Sequence, residues 1–223
     1  MTTLTINRTE PGISRRLTLL FAFAAGAAVG NLYWAQPMLK YIGDSFGVST
    51  SVASLLVTVT QIGYAIGIFL VVPLGDVMNR RRLIPAIMAA SAVALAASAV
   101  APSFSVMLVG LALVGMTTIT GQLLLPMAGD LARDEQRGSV VGTVASGTLT
   151  GIVVSRMISG VLADAFGWRA IYVVAAVLTA LLAVLLARAV PELPSRPAVR
   201  YSKLLGSVFA VVRQHRAAQR KAF

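Results

Sequence analysis

The stretch VASLLVTVTQIGYAIGIFLVVPLGDVMNRRR, residues 52–82, decides how this chain is read. Residues 52–75 carry no charged side chain, and a bilayer core is crossed by roughly 20 apolar residues of helix. The run then closes on Pro73, Gly75, Asp76 and Asn79, and three arginines follow at once: Arg80, Arg81 and Arg82. A soluble core helix needs no uncharged run of that length. A membrane span ending in a basic turn accounts for both the run and the arginines.

Five more such runs lie on either side, at residues 17–39, 83–101, 104–128, 139–163 and 170–190. Turn and charge signals separate them: 40–51 with Gly43, Asp44 and Gly47, then 76–82, Pro102-Ser103, 129–138 and 164–169. Over the 223 residues, 57% are hydrophobic and 12% charged, which is the composition of a membrane protein. The bilayer offers no hydrogen-bond partners, so these runs are expected to be helices that satisfy their own backbone. Arg8, Arg15 and Arg16 before the first run imitate a signal peptide, but about 23 residues exceed the usual 7 to 15 of a cleaved apolar region. A retained helix is expected. The expected fold is therefore an all-α membrane protein with a six-transmembrane-helix bundle at 17–190, preceded by a tail at 1–16 and followed by a linker at 191–223.

The basic residues sort by side. Sixteen of the nineteen Lys and Arg fall on the side of the termini, Lys40 and Arg169 fall on the other, and Arg156 lies inside the fifth run. The positive-inside rule then puts both termini of a multi-pass membrane protein in the cytoplasm. The net charge of +11 has this topological origin, so no nucleic-acid partner is expected. There is no cysteine, and the single histidine, His215, lies in the basic tail. No Ser-His pair or HExxH helix is present, so no enzyme, cofactor or metal is expected.

A weak repeat runs through the chain at an offset of about 88 residues. Pro73-Leu-Gly-Asp76-Val-Met-Asn79-Arg-Arg81 is answered by Gly160-Val-Leu-Ala-Asp164-Ala-Phe-Gly167-Trp-Arg169. Asp76 corresponds to Asp164 and Arg81 to Arg169. Gln36-Pro37-Met38 is echoed by Leu125-Pro126-Met127. Three spans separate the copies, which makes the repeat inverted across the membrane, a 3+3 arrangement used by transporters.

At this point the residues carry a family resemblance. Thr60-Gln-Ile-Gly-Tyr-Ala-Ile-Gly67 and Val72-Pro-Leu-Gly-Asp76-Val-Met-Asn-Arg-Arg-Arg82 resemble the second span and following loop of a major facilitator superfamily transporter, closest to the bacterial drug and sugar-efflux branch. Asn31-Leu-Tyr-Trp-Ala-Gln-Pro-Met38 resembles the first span, Glu135-Gln-Arg137-Gly138 the fourth loop, and residues 147–160 with Gly167-Trp168-Arg169 the fifth span and the start of the sixth. The chain departs from the family pattern at Pro73 and Asn79, has no arginine in its fourth run, and has Ser155-Arg156 where the family has Gly-Pro. The resemblance implies the amino-terminal six-helix half of a major facilitator fold and outward transport of a small molecule. The partners it implies are a small-molecule substrate, a bilayer with anionic lipids, and a second copy or a second six-helix half. The alternative is a truncated, non-transporting membrane protein, suggested by the ending Arg216-Ala-Ala-Gln-Arg-Lys-Ala-Phe223 where a seventh span is expected.

Site candidates follow, each with its plainer reading left open. Asp76, Arg80, Arg81 and Arg82 are a charged turn enforcing topology or, as the resemblance implies, a conformational latch in which a carboxylate caps a helix or pairs with arginine. Arg156 costs at least about 2.5 kcal/mol inside a span; it either snorkels to the interface or faces a hydrated cavity and attracts an anionic or polar group. Gln61 lies in line with Thr58 and Tyr64 on the second run, and Asn31, Tyr33 and Gln36 crowd the first with Trp34. Gln122 joins Thr118 on the fourth. These polar groups serve interhelical bonds or a ligand, and the resemblance, in which the first and fourth spans line the cavity, implies substrate contact for Asn31, Tyr33, Gln36 and Gln122. Glycine pairs at 26 and 30, 63 and 67, and 147 and 151 permit close helix crossings. After the sixth run, Pro191, Pro194 and Pro197 suggest a stiff linker, and Tyr201, Leu204, Leu205, Val208, Phe209 and Val212 one face of an amphipathic interfacial helix.

Overall fold

The computed structural model describes residues 12–191. The expected amphipathic segment, the linker beyond Pro191 and His215 lie outside the described residues, as do residues 1–11. The described chain is helical from end to end, in the order α1 (Arg15–Gly30), a short 3-10 turn (Gln36–Met38), α2 (Leu39–Phe46), α3 (Thr50–Ala53), α4 (Leu55–Leu70), α5 (Leu74–Val77), α6 (Arg80–Ala99), α7 (Phe104–Thr117), α8 (Thr120–Leu131), α9 (Asp134–Phe166) and α10 (Trp168–Ala189). Small polar side chains start the helices where the sequence supplies them. The hydroxyls of Ser14, Ser49 and Ser103 and the amide oxygen of Asn79 accept from backbone N–H groups of the first turns of α1, α3, α7 and α6.

Five stretches are long and apolar enough to cross a membrane: Thr50–Val77, Arg80–Ala99, Phe104–Leu131, Asp134–Phe166 and Trp168–Ala189. The run at 17–39 is not one continuous helix. Its helix α1 spans 16 residues and ends at Gly30. The backbone then tightens into turns, with the N–H of Leu32, Tyr33 and Gln36 each bonding three residues back. Pro37, which has no N–H to give, sits at the first turn of the 3-10 segment. The run at 104–128 is also interrupted: α7 ends at Thr117, and the Thr118 N–H is shared between the carbonyls of Val114 and Gly115 before α8 begins at Thr120. The loop expected at 129–138 is shorter than read from sequence, because α9 already starts at Asp134, where Asp134 and Glu135 suit the positive end of the helix dipole.

Three helix pairs dominate the packing: α6 with α10, α1 with α9, and α4 with α7. The last two are glycine seams. A methyl group on Gly151 would overlap the carbonyl oxygen of Gly26, and one on Gly26 that of Gly147. In the other seam a methyl on Gly63 would overlap the Ala112 carbonyl oxygen, and one on Gly115 that of Thr60. Backbones this close are possible only without a Cβ, and they gain dispersion contact where lipid offers no hydrophobic drive to association. The core divides in two. Phe21, Ile84, Met88, Leu124, Met127 and Leu186 pack toward the end that holds Arg15 and Arg80, and Met38, Leu56, Leu95, Met107, Trp168 and Tyr172 toward the far end. Val93, Val109, Leu149, Met157 and Val161 are exposed apolar side chains, as a lipid-facing surface requires.

Candidate functional site

Polar side chains collect at three levels of the bundle. In its middle, the guanidinium of Arg156 on α9 lies over the ring of Tyr33, 4.7 Å from the centroid, where the chain turns after α1. Gln36 follows one turn later and is half-buried. On the other glycine seam, Gln122 of α8 donates through Nε2 to the Tyr64 hydroxyl of α4 at 2.9 Å, and Gln61 lies exposed three residues before Tyr64. Asn31 is placed differently. It is buried, its amide nitrogen donates to Thr179 Oγ1 of α10 at 3.3 Å, and its oxygen accepts from Trp34 Nε1 at 2.9 Å. Both ends of its amide thus hold the turn after α1 against α10.

At the arginine-rich end, Arg80 is the buried centre of a charged knot. Its Nε donates to the Gly75 carbonyl at 2.9 Å, one terminal nitrogen reaches Asp130 at 3.1 Å, and the other reaches Asp76 at 3.1 Å. The knot ties α5, α6 and α8 together. Burial makes such a guanidinium costly unless its donors are matched, and here three acceptors match them. Arg81 is half-buried and Arg82 exposed, and both line a shallow polar hollow with Asn79, Pro85 and Ala187.

At the far end the chemistry changes. The Tyr41 hydroxyl of α2 donates to Asp164 of α9 at 2.5 Å. That hydrogen bond, helped by repulsion between the carboxylate and a phenolate, raises the Tyr41 pKa above the usual tyrosine value. Arg169 lies over the rings of Trp168 at 4.2 Å and Phe46 at 5.6 Å, and donates to the Ala101 carbonyl at 3.2 Å.

The described helices are thus interrupted along their length, with polar side chains near the breaks and ionic or hydrogen-bonded ties at both ends. A sequence profile of the Major Facilitator Superfamily matches residues 18–217. The chain belongs to that superfamily. Among the relatives of this major facilitator chain, the uncharacterized transporter YgaY of Escherichia coli O157:H7 is 42% identical over 199 residues, which are 89% of this chain and 50% of the relative. The probable transporter SCO4007 of Streptomyces coelicolor is 36% identical over 181 residues, 81% of this chain and 42% of the relative. The chain thus spans about half the length of the relatives it matches. The crystal structure of the peptide transporter POT in complex with alafosfalin superposes with a TM-score of 0.64 at 17% identity, over 93% of this chain and 46% of that one. It shares the fold. The family and the five long apolar helices make this chain a multi-pass membrane protein of a transporter family.

Two site residues of this major facilitator chain escaped sequence reasoning. Asp130 was absorbed into a charged loop, yet an acid in the last turn of a helix opposes the helix dipole and calls for a cation, which is what Arg80 provides. Tyr41 gave no signal at all, since its partner Asp164 is 123 residues away.

Proposed function

We propose that this chain is the amino-terminal six-helix half of a major facilitator type secondary transporter that carries a small molecule, by efflux, across the cell (inner) membrane, with both termini cytoplasmic. The observation that carries the reading is the pair of interrupted helices. The breaks after Gly30 and after Thr117 precede Pro37 and Pro126, which are related by the repeat offset. In transporters built from inverted repeats, such interruptions at corresponding places mark the substrate path. The glycine seams support the same 3+3 repeat: Gly26 and Gly63 are displaced from Gly115 and Gly151 by 89 and 88 residues, so each seam is the repeat image of the other. α1 with 31–39 then forms the first of six spans.

In this reading Tyr33, Gln36, Gln61, Gln122 and Arg156 line the path, and Asn31 shapes it through the turn it holds. Asp76 and Arg80, with Arg81 and Arg82 beside them, form the latch that weights one access state against the other. Facing lipid, the exposed Gln61, Gln122 and Arg156 would be costly. A second six-helix bundle, a further copy or a separate half, supplies the opposite wall and makes the path hydrated. The basic arginine-rich end lies on the cytoplasmic side, against anionic lipids.

The test is efflux of labelled sugars and drugs from vesicles holding this bundle alone or together with a second bundle, with oligomeric state measured in parallel. Flux is expected only when two bundles are paired. Robust flux from a strict monomer, or none from any pairing, overturns the reading.

A further inference from the structure

We propose that Arg156 and the Tyr33 ring form an anion-recognition subsite, so that the carried substrate is an organic anion whose carboxylate, sulfonate or phosphate docks on Arg156 beside an apolar or aromatic body. The inference rests on the transport reading and names the substrate class for it.

The position of Arg156 argues first. A 33-residue helix such as α9 is about 50 Å long, and Arg156 lies about 9 Å past its midpoint, inside the roughly 15 Å half-thickness of a hydrocarbon core. Its guanidinium is held over the Tyr33 ring. The direction it faces argues second. Gly151 and Ser155 of α9 meet α1 at Gly26 and Gly30, and Val154 and Ile158 line one flank of that seam, an apolar groove of about 550 Å³ shared with Leu178 of α10. Successive residues turn about 100° around a helix, so Arg156 projects on the opposite flank, away from α10 and away from the apolar groove.

Charge argues third. The carboxylates of the described residues are accounted for elsewhere: Asp44 with Lys40, Asp76 and Asp130 with Arg80, Asp164 with Tyr41, and Asp134 and Glu135 at the start of α9. Among the described residues Arg156 has no ion pair, and its exposed side chain donates no hydrogen bond to a protein acceptor. A guanidinium with one face on an aromatic ring keeps its N–H edge free for a planar, two-point grip on a carboxylate or phosphate. Tyr33 holds the cation in place and shields it from lipid. What is missing from this pair is a negative charge, and a ligand can bring it.

The absence of cysteine makes the test direct. A single cysteine is placed near the pair, as Gln36→Cys and separately as Val153→Cys, with Ser103→Cys as a remote control. Each is labelled by anionic 2-sulfonatoethyl and cationic 2-trimethylammonioethyl methanethiosulfonate, in the full chain in vesicles. The anionic-to-cationic rate ratio is expected to exceed that at residue 103, to fall roughly five-fold or more with Arg156→Gln, and to persist with Arg156→Lys, as a single nearby charge in a wet site demands. A ratio at residues 36 and 153 no higher than at 103, a ratio indifferent to Arg156→Gln, or no reaction with either reagent overturns the proposal. Labelling reads the field of Arg156 without any flux, so it succeeds or fails separately from transport. Where paired bundles do transport, Arg156→Gln is expected to lower the flux of anionic probes at least ten-fold relative to neutral ones, and equal loss for both classes also overturns it.

Discussion

The two ends of the bundle place side chains at positions about 88 residues apart and finish with different chemistry. Asp76 and Asp164 lie 88 residues apart, as do Arg80 and Trp168; Tyr41 and Asp130 lie 89 apart. At the arginine-rich end the three positions read Asp76, Arg80 and Asp130, and they close into a buried ionic knot. At the far end they read Asp164, Trp168 and Tyr41. Trp168 is buried against Phe46 and Tyr172, and the acid is left to an exposed hydroxyl. One scaffold therefore carries a strong, charge-assisted tie at one end and a weaker, neutral-to-ionic one at the other. On the proposed transport reading, such an imbalance weights one access state against the other, because each tie breaks only at its own stability cost.

The largest effect is expected from breaking the knot. Arg80→Gln removes the cation that bridges Asp76 and Asp130. A loss of about 3 kcal/mol in thermal or denaturant unfolding of the purified protein is expected, discounted from a fully buried pair because the two carboxylates remain partly exposed. A double-mutant cycle with Asp130→Asn should recover at least about 1 kcal/mol of coupling. Additive losses would mean that the two ends do not differ in the way the geometry states.

The seams test the other half of the comparison, that the scaffold beneath the ends is the same. Gly151→Ala and Gly63→Ala each drive a methyl into the carbonyl of the facing helix, so each is expected to cost about 2 kcal/mol, within about 1 of the other. Unequal costs would argue against the repeat. At the far end, Arg169→Gln loses contact with two aromatic faces and a carbonyl bond from an exposed position. A loss of about 1 kcal/mol is expected in the same unfolding measurement, well short of Arg80→Gln.

Much of this was legible before the structure. Apolar runs of roughly 20 residues announce spans because that is the length a bilayer core requires, and an offset of 88 residues links Asp76 to Asp164 in the sequence. The breaks after Gly30 and Thr117 were not legible, since hydropathy reports what a backbone is buried in and not whether its helix is continuous. Pro37 and Pro126 were visible as an echo, but a proline in the first turn of a new segment is tolerated and does not by itself say where the previous helix ends. The site divided along the same line. Arg156 stood out by being charged where charge is expensive and the Arg80 triplet by closing a span, whereas Tyr41 and Asp130 acquire meaning only from side chains far away in sequence. From sequence Asn31 reads equally as an interhelical bond or a ligand contact, because buried and ligand-facing amides read alike, and its bonds to Thr179 and Trp34 emerge only when α10 is folded against the turn.

The smallest effect, and the one that separates the two ends most cleanly, is expected from alkali. The far tie contains a phenol: the Asp164 bond stabilises the protonated Tyr41 and raises its pKa above 10.0 in the folded protein. A raised folded pKa means that the stabilisation is whole below the unfolded value near pH 10 and drains away as pH climbs through the folded one. The far end should therefore loosen in strong alkali. Absorbance titration near 295 nm, taken as the difference between the parent protein and Tyr41→Phe, should reveal one phenol ionising above the usual value, and Asp164→Asn should bring it down. A thiol placed beside the far tie should label faster above that pH in the parent, with no such rise in Tyr41→Phe, where the bond is absent at every pH. If Tyr41 titrates at its ordinary value, the hydrogen bond to Asp164 is not formed in solution, and the contrast between the two ends reduces to the ionic knot alone.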